Sequence, residues 1–212
     1  MATILVKGKP WEYEETSYYG SGRIIDHEDA KYVLLTAKKI LESNGIWFSP
    51  IFGTLLGLIR NQSFIPNDYD MDILIKGKDR KKLIDLIPDF AEQGIFFTRS
   101  SEPWVYTFQH KSVSCDFYAI QEPKWPYNYR YCKVVDQYIQ KDFFKETEKM
   151  VFFDKEFNVP KNPTRLLEYM YGKNWRVPQK GQARVQSKLL LHLNLIRFIK
   201  RVWSYIQRHL LK

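Results

Sequence analysis

Three aspartates spaced two apart, Asp68, Asp70 and Asp72, stand in residues 53–73, GTLLGLIRNQSFIPNDYDMDI, which also hold two glycines and one arginine. The run Met71-Asp72-Ile73-Leu74-Ile75 predicts a strand, and a strand turns residues i and i+2 to the same face. Asp70 and Asp72 therefore present their carboxylates side by side. Two carboxylates so placed repel each other unless a divalent cation lies between them, and hard oxygen ligands suit magnesium or manganese. Upstream, residues 46–51 predict a short strand, and Gly53-Thr54 opens a helix-like run that ends at Arg60. A glycine turn opening a helix offers backbone N–H groups to a phosphate. A phosphate cradle beside a metal-binding carboxylate pair is the minimum equipment for phosphoryl or nucleotidyl transfer.

The elements that must position these groups follow from periodicity. Asp26 is placed to cap a helix whose apolar residues Ala30, Val33, Leu34, Ala37, Ile40 and Leu41 keep helical spacing until Asn44-Gly45. After the acidic strand, Leu83, Leu86, Ile87, Phe90 and Ala91 predict a second helix, kinked or divided at Pro88. Residues 95–98, 104–110 and 113–120 predict three short strands, with Lys111-Ser112 as a turn. The third carries Asp116 alone among uncharged neighbours, and a lone buried aspartate is unfavourable unless it is paired or coordinates a metal. His110, at a strand end, reads as a surface residue. Trp125-Pro126-Tyr127-Asn128-Tyr129-Arg130-Tyr131 reads as packing, or as an aromatic wall that could hold a quaternary ammonium such as choline. In residues 1–24, Ile4-Leu5-Val6 predicts a strand and residues 18–22 a loop.

The chain has 212 residues, 33 Lys and Arg against 24 Asp and Glu, and a net charge of +9. No acidic residue follows Glu168, whereas ten Lys and Arg do, so the positive excess lies in the last 44 residues. Residues 187–212 alternate an apolar side (Leu191, Leu195, Phe198, Ile199, Val202, Ile206, Leu210) with a basic one (Arg197, Lys200, Arg201, Arg208, Lys212). That composition predicts an amphipathic helix at a membrane interface, or one docked on the domain or a second subunit. The wide apolar side argues against a nucleic-acid arm. Cys115 and Cys132 have no zinc-ligand spacing and suit a reducing cytoplasm. No signal peptide is apparent, and no run reaches the roughly 18–20 apolar residues that cross a bilayer.

Residues 53–73 resemble the signature of the LicD-type transferases, which include fukutin and fukutin-related protein and belong to the polymerase-β-like nucleotidyltransferase superfamily. That signature is a Gly-Ser/Thr-Leu-Leu-Gly run, an arginine, then Ile-Pro-Trp-Asp-Asp-Asp-Ile-Asp-Ile. Here Asn67 stands for the tryptophan and Tyr69 for the middle aspartate, and neither change removes the alternating acidic face. A second stretch, Val159-Pro160 followed by Leu167-Glu168-Tyr169-Met170-Tyr171-Gly172 and Trp175, is similar to the family's C-terminal hallmark. The resemblance covers residues 26–178. It implies an α/β (α+β) domain of nucleotidyltransferase type, with a mostly antiparallel mixed sheet flanked by helices and a C-terminal amphipathic helix. The organisation expected is an N-terminal segment 1–25, a catalytic domain 26–180 and a basic helix 181–212.

The resemblance also implies the chemistry: transfer of a phospho-substituent such as phosphocholine from a CDP-linked donor to a hydroxyl of a cell-surface glycan or its lipid-linked precursor, with CMP leaving. Asp70, Asp72 and Asp116 would hold Mg2+ or Mn2+, and Asp116 could help deprotonate the acceptor. Gly53, Thr54 and Arg60 would bind phosphate oxygens, and Asp68 would orient or support the site. Such an enzyme is expected in the cytoplasm, peripheral to the inner face of the membrane. Two alternatives stand beside it, a nucleotidyltransferase that releases pyrophosphate and a non-catalytic membrane- or glycan-binding protein.

Overall fold

The computed structural model describes residues 1–16, 23–101, 103–125 and 127–178, together with Ile199 and Val202. The chain divides into two units, Met1–Leu166 and Leu167–Lys212. In chain order the elements are β1 (Ala2–Val6), β2 (Lys9–Tyr13), α1 (His27–Ser43), β3 (Phe48–Pro50), α2 (Phe52–Asn61), β4 (Asp70–Ile75), α3 (Arg80–Asp85), α4 (Ile87–Ala91), β5 (Phe96–Ser101), β6 (Val105–His110), β7 (Val113–Ala119), β8 (Tyr131–Val134), β9 (Gln137–Gln140), β10 (Thr147–Phe152), β11 (Lys155–Pro160) and α5 (Pro163–Tyr171). The predicted loop at 18–22 and the predicted C-terminal helix lie outside the described residues, apart from Ile199 and Val202, which are helical and exposed.

Local signals explain the helices that frame the sheet. The Asp26 carboxylate accepts hydrogen bonds from the N–H groups of Glu28 (3.0 Å) and Asp29 (2.9 Å), satisfying two donors that α1 would otherwise leave open. Gly45, at φ 64°, ends that helix in the left-handed region. The helix expected around Pro88 is indeed divided: α3 ends at Asp85, and Pro88 enters the first turn of α4, where its missing N–H is harmless.

The central sheet has the order β3-β4-β7-β6-β5. All its pairings are antiparallel except β4 with β7. The mixed, mostly antiparallel sheet flanked by helices is the architecture expected. Strand alternation gives the sheet two unlike faces. Phe97, Phe108 and Phe117 point to one, where Phe90 of α4 meets Phe108 at 4.7 Å and Phe117 at 5.7 Å between ring centres. The apolar side of α1 (Val33, Leu34, Ala37, Leu41) is fully buried. Thr107, Asp116 and Asp72 point to the other face. Three hairpins, β1–β2, β8–β9 and β10–β11, complete the strands.

Gly57 fixes how the signature folds. A Cβ there would lie 2.7 Å from the Ser63 carbonyl oxygen and 2.9 Å from the Ile65 nitrogen, so only glycine lets residues 63–65 fold back on α2 and lead toward Asp68. In an open helix Gly→Ala gains about 1 kcal/mol, whereas forcing a methyl against backbone costs about 1–3 kcal/mol or more. Gly57→Ala is therefore expected to lower stability, by a shift of the urea midpoint at unchanged m-value. A variant as stable as the wild type would contradict the close approach.

Candidate active site

The junction of β3 and α2 is built around Asp72. Ile51 is extended (φ −141°) and Phe52, fully buried, takes φ 49° as the helix begins. A bulky residue in the left-handed region is unfavourable by about 1–3 kcal/mol and persists only where its surroundings demand it. Here the turn aims the start of α2 at β4. The Gly53 N–H donates to Asp72 Oδ2 at 3.1 Å, the Asp72 N–H donates to Thr54 Oγ1 at 2.7 Å, and the Ile51 N–H donates to the Asp72 carbonyl at 3.1 Å. No side chain caps α2 from its own N-cap position. Asp72 does so from the neighbouring strand, where the helix dipole favours its negative charge. The Gly53 and Thr54 groups expected on a phosphate are thus directed at Asp72. Space at position 53 is tight: a Cβ there would lie 3.2 Å from Asp68 Oδ2 and 3.5 Å from Asp72 Oδ2.

From Asp72 a polar row crosses the sheet. Asp72 pairs with Asp116 on β7, Asp116 with Thr107 on β6, and Thr107 with Arg99 on β5. Cross-strand partners share a face, so all four side chains lie on one side. The Thr107 hydroxyl donates to Asp116 Oδ1, and the Tyr118 hydroxyl donates to Oδ2 at 3.1 Å. Arg99 Nη2 donates to Thr107 Oγ1 at 3.0 Å and lies 3.7 Å from Asp116 Oδ1. Burial holds the Asp116 carboxyl above the usual carboxylate range, against the opposing pull of Thr107, Arg99 and Tyr118. Burial, reinforced by Asp72, Asp116 and Asp70, pushes the Tyr118 phenol far up, so it remains a protonated donor. The same causes raise the Cys115 thiol, which is fully buried and unreactive as a nucleophile.

The structure brings most of the expected residues together. Asp70 opens β4 opposite Ser114, half-buried and on the same face as Asp72. Asp68 and Asp72 both turn a carboxylate oxygen toward Gly53. The Asp68 carboxyl is raised by burial, which outweighs the Tyr69 N–H bond at 3.1 Å and the field of His27. Asn67 adopts φ 62°, a conformation asparagine tolerates well, and Tyr69 is exposed, so the two departures from the family signature leave the acidic face intact. Arg60 sits in the last turn of α2, about 10 Å along the axis from Gly53, with its Nε donating to Asn61 Oδ1 at 3.2 Å. Trp125 and Tyr129 of the aromatic stretch are exposed, Tyr131 is buried, and Pro126 lies outside the described residues. His110 is half-buried, its Nδ1 2.7 Å from the Gly94 carbonyl oxygen, on the helix-covered face.

Among the described residues, no three His, Cys, Asp or Glu side chains converge to hold a metal ion. The expected three-carboxylate set is therefore not gathered in advance, and both Asp116 oxygens already accept hydroxyl hydrogen bonds. The donor chemistry still fits magnesium, which is commonly held by one or two carboxylates and completed by water and substrate phosphate. Asp70 and Asp72 would supply those carboxylates. Arg99, Thr107 and Tyr118 were not found from sequence. Their signal was an arginine and a threonine inside short apolar strands, visible only once the register is known.

Residues 46–179 match the family described as LicD/FKTN/FKRP, nucleotidyltransferase domain. The chain is 28% identical over 172 residues to the uncharacterized protein RP689 of Rickettsia prowazekii (strain Madrid E), a stretch covering 79% of this chain and 61% of that protein. The chain thus spans about three-fifths of that relative. Among solved structures, the lincosamide antibiotic adenylyltransferase LnuA with lincomycin bound is 14% identical, covering 68% of this chain and 85% of that one at a TM-score of 0.46. ANT(2")-Ia in complex with adenylyl-2"-tobramycin is 10% identical, covering 71% and 79% at a TM-score of 0.47.

The burial of Asp68 gives a test of the site's electrostatics. Its carboxyl is raised in the folded state, so the fold gains least from it at neutral pH and the penalty vanishes below the ordinary carboxylate range, where folded and unfolded forms are both protonated. In metal-free buffer at pH 7, Asp68→Asn should melt at a higher temperature than the wild type. The difference should shrink as the pH falls through about 4 and close about one unit below that. A variant that melts lower at pH 7 would mean the carboxylate is stabilised there.

Proposed function

The chain belongs to the LicD/FKTN/FKRP nucleotidyltransferase-domain family, and from that premise we propose that it transfers a phospho-substituent from a CDP-linked donor to a hydroxyl of a cell-surface glycan or its lipid-linked precursor. The hydroxyl oxygen forms a bond to the distal phosphorus of the diphosphate. The bond from that phosphorus to the bridging oxygen breaks, and CMP departs with the bridging oxygen. The hydroxyl proton passes to a site carboxylate.

The observation that carries this reading is the facing pair Asp72 and Asp116, one tied to the start of α2 and the other to Thr107 and Tyr118. Asp70 and Asp72 present two carboxylates from one strand face toward the donor diphosphate. A magnesium or manganese ion held by them would neutralise phosphate charge. Asp116 suits the proton-accepting role: burial raises its basicity, and each oxygen keeps a second lone pair beside the one its hydroxyl partner uses. Gly53 and Thr54 act by holding Asp72 rather than by touching phosphate. Arg60, at the far end of α2, is assigned to the outer part of the donor site.

The test is a panel of CDP-choline, CDP-glycerol, CDP-ribitol and CDP-ethanolamine with magnesium, followed by CMP release. One donor is expected to be used, with activity lost in EDTA. Asp72→Asn should lower it at least about a hundredfold, since even neighbours of metal ligands cost 10–100-fold. Pyrophosphate release from a nucleoside triphosphate in place of CMP release would overturn the reading.

Among the described residues no helix is long and apolar enough to cross a membrane. We carry the basic, amphipathic pattern of residues 187–212 into the proposal as a peripheral contact on the inner face of the cell membrane. Apolar burial contributes roughly 25 cal/mol per Å², and each Lys or Arg near an anionic leaflet adds about 1 kcal/mol. Co-sedimentation with anionic vesicles should weaken as salt rises and should be lost on truncation after Gln186, with transfer to a soluble acceptor retained. A truncated chain that aggregates, or still binds, would place the segment elsewhere.

A further inference from the structure

Arg99 is an arginine only 8% exposed, a rare state for a side chain that normally reaches water. Its place depends on one irregularity. Phe97 pairs with Phe108, and a regular strand would continue with Arg99 opposite Tyr106. Residues two apart share a face, so the guanidinium would then point among Phe90, Phe97 and Phe108. Instead the register shifts between Phe97 and Arg99, and Arg99 pairs with Thr107. A bulge of this kind re-aims a side chain. Here it moves the one cation of β5 from the apolar face to the face of Asp116.

We propose that Arg99, delivered by this bulge, is a positioning residue that holds the Asp116 carboxylate opposite Asp72 by acting through Thr107. The role rests on the reading of Asp116 as proton acceptor. Arginine has donors and no acceptor. Its Nη2–H enters the Thr107 oxygen at 3.0 Å, so the single hydroxyl proton of Thr107 is directed to Asp116 Oδ1. Tyr118 holds Oδ2 from the other side at 3.1 Å. With a donor fixed on each oxygen, the carboxylate cannot turn. The charge of Arg99, 3.7 Å from Oδ1, also offsets the burial of the carboxylate. Both contacts come from the one nitrogen, Nη2, which faces Thr107 and Asp116 together.

The experiment is a pair of double-mutant cycles in the full chain: Arg99→Met and Thr107→Val, each alone and with Asp116→Asn. Two quantities are read, CMP release kinetics and the unfolding equilibrium in urea. Each single variant should lower kcat at least about tenfold with the donor KM within about twofold, and neither should lower it further once Asp116 is asparagine. Arg99→Met should shift the unfolding constant at least about tenfold with Asp116 present and less than about threefold with asparagine there. Equal effects in both backgrounds would overturn the proposal, as would a raised donor KM at unchanged kcat, which would make Arg99 a donor contact. Should Arg99→Met fail to fold, Thr107→Val, which keeps the side-chain volume, carries both readouts. The urea arm needs no substrate: a coupled cycle in a chain that uses no CDP donor would sink the functional reading and leave the Arg99–Asp116 pairing standing.

Discussion

The β4 half of the site depends on the double tie between Asp72 and the start of α2. Its backbone N–H is fixed by Thr54 and its carboxylate by the Gly53 N–H. The first bond sets the height of α2 relative to β4, and the second sets the side-chain rotamer. Both form at the left-handed turn of Phe52, where a Cβ at position 53 would crowd the Asp68 carboxylate at 3.2 Å. Local backbone strain at Phe52 thus accompanies a fixed carboxylate. That carboxylate caps a helix, so its charge is stabilised by dipoles that do not need to reorganise.

The second tension is the burial of negative charge. Asp72 and Asp116 are 5% and 9% exposed and face each other across neighbouring strands. Like charges so close raise each other's affinity for protons unless something opposes them. The helix N-terminus opposes it on one side, and Thr107, Tyr118 and Arg99 on the other. A cation at Asp70 and Asp72 would complete the neutralisation. The sheet can hold this arrangement because its other face is packed with aromatics and bears the stability of the unit. The polar face is then free to be electrostatically strained, as functional sites commonly are.

The parts legible in the sequence were those written in local patterns. The Asp26 cap, the Gly45 stop, the break at Pro88 and the strands ending at His110 and Ala119 all follow from neighbouring residues. The second strand of the N-terminal hairpin was missed, although Lys7 and Gly8, both at positive φ, make the two-residue turn that joins it. The strands from Tyr131 to Pro160 were missed because charges such as the half-buried Glu148 and the exposed Lys149 blur their alternation. The aspartates were legible because their spacing matches the strand period. Arg99 was not, because the strand was read to end at Thr98 and a register shift leaves no mark on composition. Arg60, read at the end of the helical run that Gly53-Thr54 opens, is found there, in the last turn of α2.

The topology explains how such a site can be assembled from distant residues without long-range precision everywhere. One half is local to β3, α2 and β4: Gly53 and Asp72 are 19 residues apart. The other half is local to the β5–β6–β7 meander, where Thr107 lies 9 residues from Asp116 and 8 from Arg99. Each half fixes its own carboxylate with its own donors. Only one long-range decision remains, the register of β4 on β7, and that pairing is the sheet's one parallel contact. A slip of one residue there would turn the acidic face of one strand toward the aromatic side. The apolar residues flanking the aspartates, Met71 and Ile73 on β4 and Cys115 and Phe117 on β7, are almost completely buried and oppose that slip. The same side chains that stabilise the fold therefore set the one register on which the two halves of the site meet.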